Sequence, residues 1–108
     1  MSKTSNVKAV LAKTVEVVRT IPGAFTYVKD GSGTDVGIIH SCPCGCGGLS
    51  GVYFPPSTSK VLWECSGTRD APTVKPSVGV HKSWPNQDKE SDGYHWHGYL
   101  TDGVWRSV

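Results

Sequence analysis

Tyr94-His95-Trp96-His97-Gly98-Tyr99-Leu100, a Thr101-Asp102-Gly103 turn and the run Val104 to Val108 form the clearest hairpin in this 108-residue chain. Aromatic and β-branched residues favour extended backbone, and Asp-Gly between two such runs marks a tight turn. On a strand, side chains two residues apart share a face. His95 and His97 therefore point one way, and Tyr94, Trp96 and Gly98 the other.

Upstream of that hairpin, short strands recur at even spacing. Lys82 to Gly93 is polar and charged and carries Pro85, Asn86, Asp88 and Asp92, which predicts a surface loop over 82–93. Pro76 to His81 reads as a short strand, and Ser66 to Pro76 carries turn signals. Gly51 to Phe54 and Val61 to Cys65 read as partners across Pro55-Pro56 and Ser57-Thr58-Ser59. Ala24 to Val28 and Val36 to His40 flank the hairpin turn Asp30-Gly31-Ser32-Gly33. Residues 7–18 admit two readings. Val7, Leu11, Val15 and Val18 fit a helical face, whereas Thr14 to Val18 alternates and is rich in β-branched residues. The second half is read as strand and the first is left open. Residues 1–6 are polar and expected to fray. The expectation is one all-β domain over 1–108, a small barrel or sandwich of about seven short strands.

Composition limits what such a domain does. Hydrophobic residues make up 37%, with Gly 13 and Pro 7, so the core is modest and turns are many. A chain this small buries only roughly two-thirds of its unfolded surface, and a covalent or metal staple would help it. The net charge is +2, with five Lys/Arg against two Asp/Glu in residues 1–30. That is far from the dense basic stripe of a dedicated nucleic-acid binder. No apolar run approaches a membrane span, and Met1-Ser2-Lys3-Thr4-Ser5-Asn6 leads into no signal-peptide core. The expected setting is a reducing cytoplasm, with no secretion and no membrane partner, where clustered cysteines serve as metal ligands rather than disulfides.

Those cysteines lie in Ser41-Cys42-Pro43-Cys44-Gly45-Cys46-Gly47-Gly48. Gly45 and Gly47 relieve the backbone so that sulfurs converge, and Pro43 stiffens the approach. Zinc takes four thiolate or imidazole donors in structural sites. Two sets are available: Cys44 and Cys46 with His95 and His97, or Cys42, Cys44 and Cys46 with His97. Either joins the middle of the chain to its end, a structural Zn²⁺ of one per chain. Cys65 reads as a small buried hydrophobe, His40 as a strand histidine or spare donor, and His81 as a surface residue. Trp63, Trp84, Trp96 and Trp105 are read mostly as core. No Ser-His-Asp motif, phosphate loop or dinucleotide fingerprint is visible.

Several segments taken in order resemble a known family. They are Ile21-Pro22-Gly23, Tyr27-Val28, Gly37-Ile38-Ile39-His40-Ser41-Cys42-Pro43-Cys44-Gly45-Cys46-Gly47, Trp63, Ala71-Pro72-Thr73-Val74-Lys75-Pro76-Ser77-Val78-Gly79 and Trp96-His97-Gly98-Tyr99-Leu100-Thr101-Asp102-Gly103-Val104-Trp105. Over roughly residues 15–108 the chain resembles an uncharacterised family of small phage and bacterial proteins. The resemblance implies a viral or mobile-element setting and a zinc site, but no activity. The family commonly has a cysteine shortly before the histidine matching His97. Here Gly93-Tyr94-His95-Trp96 has none, so both ligand sets stay open, with His95 as the stand-in in one of them.

The leading expectation is then a non-enzymatic phage accessory or minor virion (decoration-like) protein. Its zinc would stabilise a β scaffold that binds another protein, a host factor or a virion component, in the bacterial cytoplasm or on the virion. The alternative is a zinc-dependent hydrolase with His95, His97 and one cysteine as ligands and Glu64 or Asp92 as base. A nucleic-acid-binding module using exposed tryptophans ranks last, given the net charge of +2.

Overall fold

The computed structural model of the chain describes residues 5–81 and 94–107; the side chains of residues 81, 94 and 95 fall outside that description. Two sheets carry nearly all of the regular structure. In chain order the elements are β1 (Val7–Lys8), β2 (Val10–Leu11), α1 (Val15–Val18), β3 (Ala24–Lys29), β4 (Asp35–Ser41), β5 (Leu49–Tyr53), β6 (Glu64–Gly67), β7 (Pro72–His81), β8 (Tyr94–Thr101) and β9 (Val104–Ser107). One sheet has the order β1-β9-β8-β7-β6 and the other β2-β3-β4-β5. The architecture is an open two-sheet sandwich rather than a closed barrel. The seven strands expected from Ala24 onward are present, and the two-residue β1 and β2 add to them.

Alternation along each strand divides core from surface. Trp96 and Leu100 of β8, Val74, Val78 and Val80 of β7 and Trp105 of β9 are buried against Phe25, Ile38 and Val52 of the other sheet. Trp96 and Trp105 meet edge to face with centroids 5.7 Å apart. The Trp105 indole N–H donates to Gly23 O at 2.8 Å, so the buried ring leaves no unpaired donor. Ala12, Val18, Ala24 and Leu49 form a second, smaller cluster.

Three boundaries differ from the expected ones, each for a local reason. Thr14–Val18 is no strand: Thr14 caps the single turn of α1, its Oγ1 accepting the Val17 N–H at 3.3 Å. The cap competes successfully with the β-branched run because it satisfies an otherwise unpaired amide. β6 begins at Glu64 rather than Val61, and the exposed Val61 and Leu62 precede it. β7 begins at Pro72, inside the stretch read as turn, because Pro72 to Lys75 find partners in β6. The expected frayed segment 1–6 and the loop 82–93 lie wholly or mostly outside the described residues.

Gly98 has a packing reason. A Cβ built there meets Arg106 O at 2.1 Å and the Trp96 ring at 2.6 Å. At Gly33 nothing lies within 4 Å, although φ is +86°. Gly98→Ala is therefore expected to destabilise the fold by about 3 kcal/mol, the upper end for overpacking. Gly33→Ala should cost about 1 kcal/mol, for left-handed backbone alone. Urea melts of the two variants check the difference, and equal losses would contradict this packing.

Candidate active site and thiol cluster

Ser77 lies where the β7 ladder becomes irregular. β6 pairs with β7 only as far as Glu64↔Lys75. Between β7 and β8 the register shifts between the Val74↔Leu100 and Val78↔Gly98 pairs. Pro76, directly before Ser77, has no N–H to contribute to a ladder. Such irregularities re-aim a side chain that regular pleating would place elsewhere. Val78 beside Ser77 is buried, while Ser77 itself is partly exposed.

His97 reaches the same place from β8. It pairs across the ladder with Gly79, two residues beyond Ser77. Trp96 and Gly98 on either side of it are buried, and His97 is partly exposed, which puts its ring on the face away from the core. The His97 Nε2 stands 2.7 Å from Ser77 Oγ. A hydroxyl within hydrogen-bond reach of an imidazole nitrogen is the geometry of a nucleophile and its general base. Ser77 carried no role in the sequence reading, because the two members are 20 residues apart and no local motif joins them. The available signal was their presence in two of the segments that resembled a family, Pro76-Ser77-Val78 and Trp96-His97-Gly98.

The cysteine loop leaves β4 on the neighbouring sheet. The Cys42 N–H donates to Gly48 O at 2.8 Å and the Gly45 N–H to Cys42 O at 3.0 Å, closing the turn. Gly45 and Gly47 take φ of +87° and +84°, as the sequence suggested. The sulfurs of Cys42, Cys44 and Cys46 all lie within 4.8 Å of one another. Cys42 and Cys44 Sγ are 3.2 Å apart, and the Gly48 N–H donates to Cys46 Sγ at 3.4 Å. Burial pushes the Cys42 thiol up. At Cys46 partial burial pushes the same way, but the Gly48 N–H and the neighbouring thiols outweigh it and hold the thiol below its ordinary value. Three thiolates this close repel unless a cation joins them. Sulfurs around zinc lie about 3.8 Å apart when each Zn–S bond is about 2.3 Å. The cluster fits a soft metal ion.

The other expected donors are distributed as follows. His97 faces Ser77, and the three thiols form the metal-type group among the described residues. The His95 side chain falls outside the description. His40 is fully buried beside Trp105, ring centroids 4.5 Å apart, and burial holds its imidazole down at about 4. Its Nε2 has no hydrogen-bond partner among the described residues. Cys65, read as a buried hydrophobe, is only partly buried and packs at the margin of the core. Glu64, offered as a hydrolytic base, is exposed on the edge strand β6, and Asp92 lies outside the described residues. Trp96 and Trp105 are fully buried and unavailable for stacking on bases.

Metal titration should show one soft divalent ion per chain, with thiolate-to-metal absorption when cobalt is used. Cys46→Ser should weaken binding by more than the roughly 10–100-fold that an outer-shell partner costs. Binding unchanged in Cys46→Ser would remove the cluster from consideration as a metal site.

The comparisons bear directly on the Ser77–His97 pair. A family model described as a bacterial ubiquitination-like system serine protease (BubE) matches residues 11–108. No curated protein and no solved structure matches the chain. The match overturns the expectation of a non-enzymatic phage accessory or virion protein, because the family is described as a bacterial protease. A serine and a histidine brought together across a β-ladder leave no contiguous motif in the sequence. Over residues 11–108 this chain belongs to the BubE family of bacterial ubiquitination-like system serine proteases.

Proposed function

We propose that the chain is a serine hydrolase acting on acyl bonds within a bacterial ubiquitination-like system, with Ser77 as nucleophile and His97 as general base. The observation that carries this reading is the 2.7 Å separation of Ser77 Oγ and His97 Nε2 on the solvent-facing side of β7 and β8. The family description supplies the substrate setting.

In the reaction, Ser77 Oγ attacks the acyl carbon as its proton passes to His97 Nε2. The tetrahedral adduct collapses, the bond to the leaving group breaks, and His97 returns the proton to that group. Water, deprotonated by the same nitrogen, then attacks the Ser77 ester, releases the acid and restores the hydroxyl. The β7–β8 ladder contributes orientation, since the Gly79↔His97 pairing fixes the backbone from which the imidazole projects.

Zinc, when bound, supplies a rigid cross-link to this scaffold. Cys42, Cys44 and Cys46 would be three of its ligands, and His95 is the candidate fourth because His97 is engaged with Ser77. A site closed by four protein donors stabilises structure and leaves no position for an activated water. The thiol loop borders β7, the strand of the nucleophile: a Cβ at Gly48 would lie 3.8 Å from Val80.

A fluorophosphonate probe tests the nucleophile. It should label the full-length protein once, at Ser77, as located by mass spectrometry of the digest. Ser77→Ala should abolish labelling while the protein stays folded, since Ser77 lies outside the core. His97→Gln should slow labelling about 10²–10⁴-fold, the usual contribution of a general base. Labelling that persists in Ser77→Ala would exclude this serine.

A further inference from the structure

Past Lys75, β7 has no further pairing with β6. The carbonyls of its next outward-facing residues are held by side chains instead. The Trp63 indole N–H donates to Ser77 O at 3.0 Å, and Ser50 Oγ donates to Gly79 O at 3.3 Å. One of these bonds therefore ends on the peptide of the residue proposed as nucleophile, and the other on the cross-strand partner of its base.

Trp63 is itself anchored from two sides. Its backbone N–H donates to Tyr53 O at 2.8 Å, fixing it to the end of β5. Its ring packs against the main core cluster. The indole thus links one sheet to the Ser77 peptide in the other, at the point where the regular ladder has stopped. The chain before it, from Pro55 to Leu62, is largely exposed. Ordinary packing of a large aromatic does not require its donor to end on this carbonyl.

We infer that Trp63 is a positioning residue for the serine reaction, holding the Ser77 peptide so that Oγ stays in line with His97 Nε2. The inference rests on the Ser77 reading above and goes beyond it, assigning a role to a side chain that meets neither the substrate nor the transferred proton. Without the indole N–H, the Ser77 carbonyl loses its tether and the peptide preceding Val78 gains freedom. Oγ then spends less time within reach of the base. A displacement on the order of 1 Å near reacting atoms costs about 10²-fold in rate. Ser50 acts one residue pair further away, and its removal perturbs the nucleophile less.

The test separates the rate of the chemical step from affinity. Full-length protein is treated with a series of fluorophosphonate concentrations, giving the maximal inactivation rate and the half-saturating concentration for each variant. Trp63→Phe keeps an aromatic ring and deletes the donor. Replacement of Trp63 by β-(3-benzothienyl)alanine deletes the N–H while keeping the bicyclic shape, which covers the case in which phenylalanine packs poorly. Both variants are expected to keep the wild-type melting temperature and to lose about 10–100-fold in maximal rate, with the half-saturating concentration within about twofold. Ser50→Ala should lose less than either. An unchanged maximal rate in the benzothienyl variant overturns the role of Trp63 and leaves Ser77 as nucleophile. Wild-type protein that fails to label at Ser77 overturns the nucleophile assignment and this inference with it.

Discussion

Burial of Trp96, Leu100 and Trp105 between the sheets is the constraint on which the remaining geometry depends. Side chains alternate with a period of two, so a one-residue slip of β8 would exchange its faces. Trp96 would then be in solvent and His97 in the core. Fully burying an aromatic side chain is worth about 1.5–3 kcal/mol, and the two tryptophans together make that slip prohibitive. Gly98 tightens the constraint, because the space its side chain would occupy is already taken by the Trp96 ring and the β9 backbone. The outward position of His97 is thus a consequence of what its neighbours bury.

The same rule brings Ser77 to His97, with one exception at the critical point. In a regular antiparallel ladder, Gly79 opposite His97 would leave Ser77 opposite Tyr99 and diagonal to the histidine. The register shift after Val74 and the proline at 76 suspend that regularity, and the hydroxyl closes to 2.7 Å from the imidazole. The site is therefore a product of a regular β8–β9 pairing and an interrupted β7–β8 one. Trp63 occupies the gap left by the interruption, so that the stretch freed from β6 is still held from the side.

This explains which parts were legible in the sequence. Alternation in Trp96 to Leu100 gave the faces of that part of β8 correctly, because the pattern is local and its buried members are large. The thiol cluster was legible for a similar reason: Cys42, Cys44 and Cys46 lie within five residues, and the glycines between them allow the turn that gathers them. Ser77 was not legible. It comes together with His97 only through pairing across residues 82–93, and nothing within either strand advertises the encounter. At Thr14 the failure was of another kind. A single side-chain cap turned a β-branched run into a helical turn, and the propensity of the run itself carried no sign of it.

The position of the pair also bears on the kind of substrate it suits. Cavities of about 310 Å³ and about 430 Å³ gather near Arg69 and Tyr27, and neither is lined by Ser77 or His97. The pair instead stands on a sheet face, partly exposed, with Tyr99 nearly half exposed two residues beyond the histidine. A small molecule draws its binding energy from enclosure, and neither of these two cavities offers it to the pair. A polypeptide draws it from contacts spread over a much larger surface and can present an extended segment to a pair of this kind. The same argument makes positioning more demanding, since a nucleophile on a sheet face is held chiefly through its own strand. The bond from Trp63 to the Ser77 carbonyl supplies that hold where the pairing with β6 has stopped.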